Sequence, residues 1–140
     1  MSEEELLREL RGALLRLHKT LLDVERHNFE KIFGRVNSGE LLQLVINNAQ
    51  FAWLRMISEL VVQIDEALNG DEAATEIELQ ELFGQARLLF NSPADEDFMT
   101  RYQAALQREP AVVMAHSEVM KWLRTPNVST RHNYPTNERL

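Results

Sequence analysis

The chain has no cysteine, which excludes disulfides, thiolate zinc sites, iron–sulfur clusters and thiol catalysis together. Glycine and proline are nearly as scarce, at 5 and 4 in 140 residues. With so few turn-makers, a small number of long elements fits better than many short strands. No uncharged apolar run reaches the length of a bilayer span. The amino terminus, MSEEELLREL, lacks the basic region and apolar stretch of a signal peptide, which fits a cytoplasmic location. Also missing are a phosphate-cradling glycine loop, a Gly-x-Ser-x-Gly elbow, a His-Glu-x-x-His pair and the Glu-x-x-His pair of ferritin-like bundles.

What is present is ordinary globular composition, 44% hydrophobic and 26% charged. The length suits one domain with a sizeable core. We expect that domain over residues 1–124, followed by a polar mobile or docking tail over 125–140, which has two prolines and no hydrophobic period. The net charge of −7 is unevenly spread. Residues 1–36 balance 7 basic against 7 acidic, 37–100 hold 2 against 12, and 101–140 hold 6 against 3. An acidic middle repels phosphate backbones, so no nucleic-acid partner is expected.

The most apolar stretch runs over residues 40–69 and reads as one helix covered on more than one side. At 100° per residue, Leu42, Val45, Ile46, Ala49, Trp53, Met56, Ile57, Leu60, Ile64 and Leu68 form a broad arc. Leu44, Phe51 and Val62 form a thinner strip opposite. Ahead of it, Ser2 and Glu5 make a capping box for a first helix ending at Gly34. Leu7, Leu10, Leu14, Leu17, Leu21 and Val24 repeat along that helix at 3–4 spacing, with Leu6, Leu15, Leu22, Phe29 and Ile32 widening the stripe. Ser38 is the expected N-cap of the second helix. Two helices of matched length joined by GRVNSG predict a long antiparallel hairpin.

Three shorter helices should follow. The first opens at Asp71 or at the Thr75/Glu78 capping box, with Ile77, Leu79, Leu82, Phe83, Ala86, Leu89 and Phe90 inward. The next is capped by Ser92 with Pro93 at its first position, and has Phe98, Met99, Tyr102, Ala105 and Leu106 as its apolar face. The last opens at Pro110 and buries Val112, Val113, Val119, Met120, Trp122 and Leu123.

Chemistry-bearing residues are few. His18 and Glu25 sit at the edge of the leucine seam, and His116 lies within an apolar face of the last helix. Convergence of these would make a metal site or an acid–base pocket. Arg55 and Glu59, at i, i+4, form an expected partly buried pair, with Asp65 further along and Trp53 as an anchor. His18, Glu25, Trp53, Arg55, Glu59, Asp65 and His116 are thus the candidate ligand-binding set. Asp23, His27 and Glu30 have spacings that would share a cation, on a face turned mostly to water. No residue is assigned a catalytic role, and no cofactor is expected.

Through LHKTLLDVER in the first helix and FAWLRMISELVVQID in the second, the chain resembles a family of small helical bacterial proteins with no known activity. The resemblance spans roughly residues 10–124. It implies an independent all-α cytoplasmic domain and transfers no activity. The expected architecture is an all-α bundle of four to five helices built on the long hairpin. The expected function is a non-catalytic interaction module, pairing as a homodimer or with another protein, with no membrane or nucleic-acid partner. The alternative is a small-ligand or metal-binding bundle, conceivably an enzyme, using the histidine, glutamate and arginine cluster.

Overall fold

The computed structural model describes residues 1–91 and 95–124; the expected tail lies outside them, as do Ser92 and Pro93. The described residues are all-α. In chain order the helices are α1 (Glu3–Phe33), α2 (Ser38–Asn47), α3 (Ala49–Ala52), α4 (Arg55–Asn69), α5 (Glu76–Asn91), α6 (Glu96–Arg108) and α7 (Pro110–Arg124). No helix among the described residues is long and apolar enough to cross a membrane.

α1 is the spine. It runs for 31 residues, about 45 Å at 1.5 Å per residue. Its amino end is closed by the expected box: Glu5 N–H donates to Ser2 Oγ, and Ser2 N–H donates to Glu5 Oε1. The backbone N–H of Ser2 lowers the Glu5 pKa below the usual carboxylate range. Leu7, Leu10, Ala13, Leu14, Leu17 and Leu21 are completely buried. At roughly 1.5–3 kcal/mol for each buried leucine, this seam is the largest single apolar contribution in the fold. Its neighbours are α7, α4 and α5, all packed on the same helix. Leu15 and Ile32 are exposed, so the seam is narrower than the sequence predicts.

α4 runs antiparallel to α1. An ion pair joins Arg11, near the start of α1, to Asp65, near the end of α4. Trp53, just before α4, meets Glu25 in the second half of α1. α7 is antiparallel too: Glu109, just before it, shares a cleft with Lys31, and Glu118 pairs with Arg16 at 3.7 Å.

The single helix expected over 40–69 is broken twice. At Asn48 the backbone is extended (φ −96°, ψ 132°), and the side chain accepts the Gln50 N–H at 2.8 Å. Asparagine competes with its own backbone in this way, which hydrophobic periodicity does not register. Past Ala52 the chain tightens to i→i−3 bonds, with Leu54 N–H donating to Phe51 O and Ile57 N–H to Leu54 O. The break raises the count to seven helices among the described residues; α2–α4 occupy the place of one. The N-cap is also displaced. Asn37, not Ser38, caps α2, exchanging bonds of 2.8 and 2.9 Å with Glu40. Asp95 caps α6, accepting from Phe98 N–H at 2.9 Å. Thr75 and Glu78 form their expected box at the head of α5. Ile77 and Val113 point outward, contrary to expectation.

Gly34 ends α1 with φ 91° and ψ 170°, a backbone region essentially restricted to glycine. A Cβ there would meet nothing within 4 Å, so the whole cost of a side chain is conformational. Gly34→Ala should lower unfolding stability by about 1–3 kcal/mol, read as a shift in urea midpoint at unchanged slope.

Candidate functional site

Two regions stand out once the core is accounted for: an apolar arm and a polar latch beside a cleft. The arm is the last turn of α1 with α2. Half of the ten residues of α2 are Leu, Val or Ile, yet none is buried. Leu42 and Ile46, one turn apart on one face, are 57% and 52% exposed. Ile32 and Phe33 at the end of α1 are 74% and 68% exposed. The turn between them is held in place. Arg26 Nη2 donates to Val36 O at 2.7 Å, and Val36 N–H donates to Glu30 Oε2 at 2.9 Å. That backbone N–H, with Arg26 alongside, lowers the Glu30 pKa. At the base of the arm Phe29 stacks near Phe33 (4.7 Å) and Phe51 (6.0 Å).

The latch is centred on Glu25. Trp53 Nε1–H donates to Glu25 Oε2 at 2.7 Å, and Gln50 Nε2 donates to Oε1 at 3.0 Å and to the Glu25 carbonyl at 3.2 Å. The break at Asn48 is what aims Gln50 and Trp53 at α1. Trp53 is buried and packs against Phe98 (5.6 Å), which stacks on Tyr102 (5.5 Å, 11° between planes). Tyr102, fully buried, has its hydroxyl 2.7 Å from His116 Nδ1. Burial raises the phenol pKa well above its ordinary value and lowers that of the imidazole.

The seven candidate ligand residues are not gathered in one place. Glu25 and Trp53 meet in the latch. His116 is held by Tyr102. His18 is half-buried on α1, and burial lowers its pKa. Asp65 pairs with Arg11 at the other end of α1. Arg55 does not pair with Glu59. It is exposed and donates to Ile46 O at 3.0 Å, tying α4 back to α2. Glu59 lines a shallow groove between α4 and α5 with Met56, Gln63 and Leu88. The expected buried Arg55–Glu59 pair is therefore corrected; an exposed arginine finds a backbone acceptor nearer than the carboxylate.

Asp23, His27 and Glu30 are likewise dispersed in their bonding. Asp23 pairs with Lys19 (3.1 Å) and Glu30 with Arg26 and Val36, while His27 is exposed. Among the described residues no group of three or more His, Asp or Glu side chains is placed to hold a metal ion. Beside the latch a cleft of about 380 Å³ opens between α1 and α6, lined by Glu25, Trp53, Lys31, Arg101, Arg108 and Glu109 among others. The cationic side of that cleft escaped the sequence reading, because Lys31 and the two arginines lie far apart in sequence and only the packing of α6 on α1 unites them. No protein-family model matches the chain, and neither the curated proteins nor the solved structures give a match.

Two outcomes follow from the polar contacts. Glu25→Leu strands the buried Trp53 indole N–H and the Gln50 amide, and should cost about 1–3 kcal/mol in urea unfolding. Glu25→Gln retains an acceptor and should cost less. The second concerns pH. Burial lowers the folded-state pKa of His18 and His116, so below about 6.5 the unfolded chain binds more protons than the folded one. Their contribution to stability is complete above that pH and declines as pH falls through it. Urea midpoints should drop between about pH 7.5 and 5.5, and His18→Gln/His116→Gln should flatten the dependence; an unchanged slope assigns it to other groups.

Proposed function

We propose that the chain is a non-catalytic interaction module that self-associates as a homodimer through the arm formed by α2 and the end of α1. The carrying observation is the exposure of Leu42 and Ile46 on α2 and of Ile32 and Phe33 at the end of α1, while Leu41, Leu44 and Val45 are half-buried against the core. Monomeric proteins rarely leave such surface contiguous, and where they do it commonly marks a binding site. The arm is also pre-positioned by the Arg26–Val36–Glu30 contacts and the Arg55 bond to Ile46. A partner therefore meets an ordered surface, which reduces the entropy cost of association. A second copy presents the same apolar face, and a two-fold interface needs only one self-complementary patch.

In this reading the bundle is the hairpin of α1 with α2–α4, and α5, α6 and α7 complete its core. The leucine seam of α1 is not the docking surface, because the chain's own helices consume it. The likeness to small helical bacterial proteins belongs to the same proposal and adds no activity. A cytoplasmic setting, and the absence of nucleic-acid and membrane partners, are parts of it too.

The ligand-binding alternative is favoured by one observation, the cleft beside Glu25 and Trp53. The wider set that includes Arg55, Glu59 and Asp65 does not support it, since these side chains engage or line other parts of the molecule.

Sedimentation equilibrium at micromolar concentration should give the mass of a dimer. Leu42→Glu/Ile46→Glu should weaken association by about 100-fold or more, from the loss of two buried aliphatic side chains. Because neither residue is part of the monomer core, helical circular dichroism should be unchanged. A wild-type protein that stays monomeric throughout that range overturns the proposal.

A further inference from the structure

In a chain of net charge −7, one concave site collects positive charge. The cleft between α1 and α6 has Lys31 on one wall and Arg101 and Arg108 on the other. Arg101 is engaged by Asp97, through bonds of 3.0 and 3.2 Å. Lys31 and Arg108 have no ion-pair partner among the described residues. Of the two carboxylates present, Glu25 is already committed to Trp53 and Gln50, which leaves Glu109 at the foot of α7.

Val24, Ala104 and Ala105 are the cleft's partly exposed apolar residues, Leu21 and Trp53 lie buried beneath them, and most of the accessible lining is polar. The volume, about 380 Å³, falls in the range of sites that hold small molecules. A mostly polar cleft with two unpaired cations at its rim matches a small molecule that carries an anionic head.

We propose that this cleft binds small organic anions, with Lys31 and Arg108 holding a carboxylate or phosphate head. The site is distinct from the self-association surface and stands whether or not the chain dimerises. Trp53 reports on it directly, because its indole N–H is fixed by Glu25 at the base of the cleft. Lys31 and Arg108 are both exposed, so replacing them leaves the core intact.

The test follows the Trp53 indole N–H resonance by proton–nitrogen correlation in a Trp122→Phe background, which leaves one indole signal. Phenyl phosphate and benzoate are titrated to about 10 mM, a range that reaches millimolar affinity, with benzyl alcohol as the uncharged control. The proposal expects a saturable shift with at least one anion and none with benzyl alcohol; the tighter of the two identifies the head group preferred. Lys31→Gln and Arg108→Gln should each weaken binding by about fivefold or more at unchanged thermal midpoint. A resonance that moves with neither anion overturns the assignment. Equal response to benzyl alcohol, or undiminished binding in both charge variants, does the same.

Discussion

The carboxylate of Glu25 is the contact on which the rest of the arrangement depends. It accepts from the Trp53 indole and the Gln50 amide, and so joins the second half of α1 to the point where the chain changes direction between α2 and α4. Without that acceptor the break at Asn48 would leave a large, nearly buried indole with an unsatisfied donor, at a cost comparable to a substantial share of a small domain's stability. With it, Trp53 is placed against Phe98, Phe98 against Tyr102, and Tyr102 against His116. One side-chain acceptor on α1 thus sets the position of rings from α6 and, through them, α7.

The leucine seam supplies bulk stability, but the latch decides what it leaves uncovered. Because Trp53, Leu54 and Ile57 turn inward after the break, the residues before it cannot follow the same face. α2 rests on the core only through the half-buried Leu41, Leu44 and Val45, and turns Leu42 and Ile46 outward. An unbroken helix would have kept its broad apolar arc along α1. The exposure of Leu42 and Ile46 is therefore a consequence of the same local chemistry that orders the core.

All-helical class, the span of α1, two of the capping boxes and most of the buried leucines were legible in the sequence. Each depends on spacing within one element, which helical periodicity reports faithfully. The errors have local causes. Asn48 interrupts a helix whose apolar pattern runs on through it, and Asn37 outcompetes Ser38 because the Glu three residues later completes its box. Candidate residues were legible by type but not by destination. Glu25 and Trp53 are joined, while Asp65 goes to Arg11, Arg55 to a backbone carbonyl and His116 to Tyr102. Which partner a polar side chain finds depends on the crossing of helices distant in sequence, and no spacing rule within a helix encodes it.

The last turns of α1 serve both regions, and helix geometry keeps them apart. Lys31 lines the cleft, while Phe29 and Phe33 stack on each other at the base of the arm. Each of those rings stands two residues from Lys31, roughly 200° around the helix at 100° per residue. In the proposed dimer, a partner pressed against the phenylalanines would approach from the side opposite the cleft mouth and would leave the cationic rim open. Coupling between the two would have to pass through the backbone of α1 or through Phe51, which touches Phe29 and lies two residues before Trp53. That route is short and made of packed rings, so an occupant of the cleft and a partner on the arm would both act on the break that Glu25 holds.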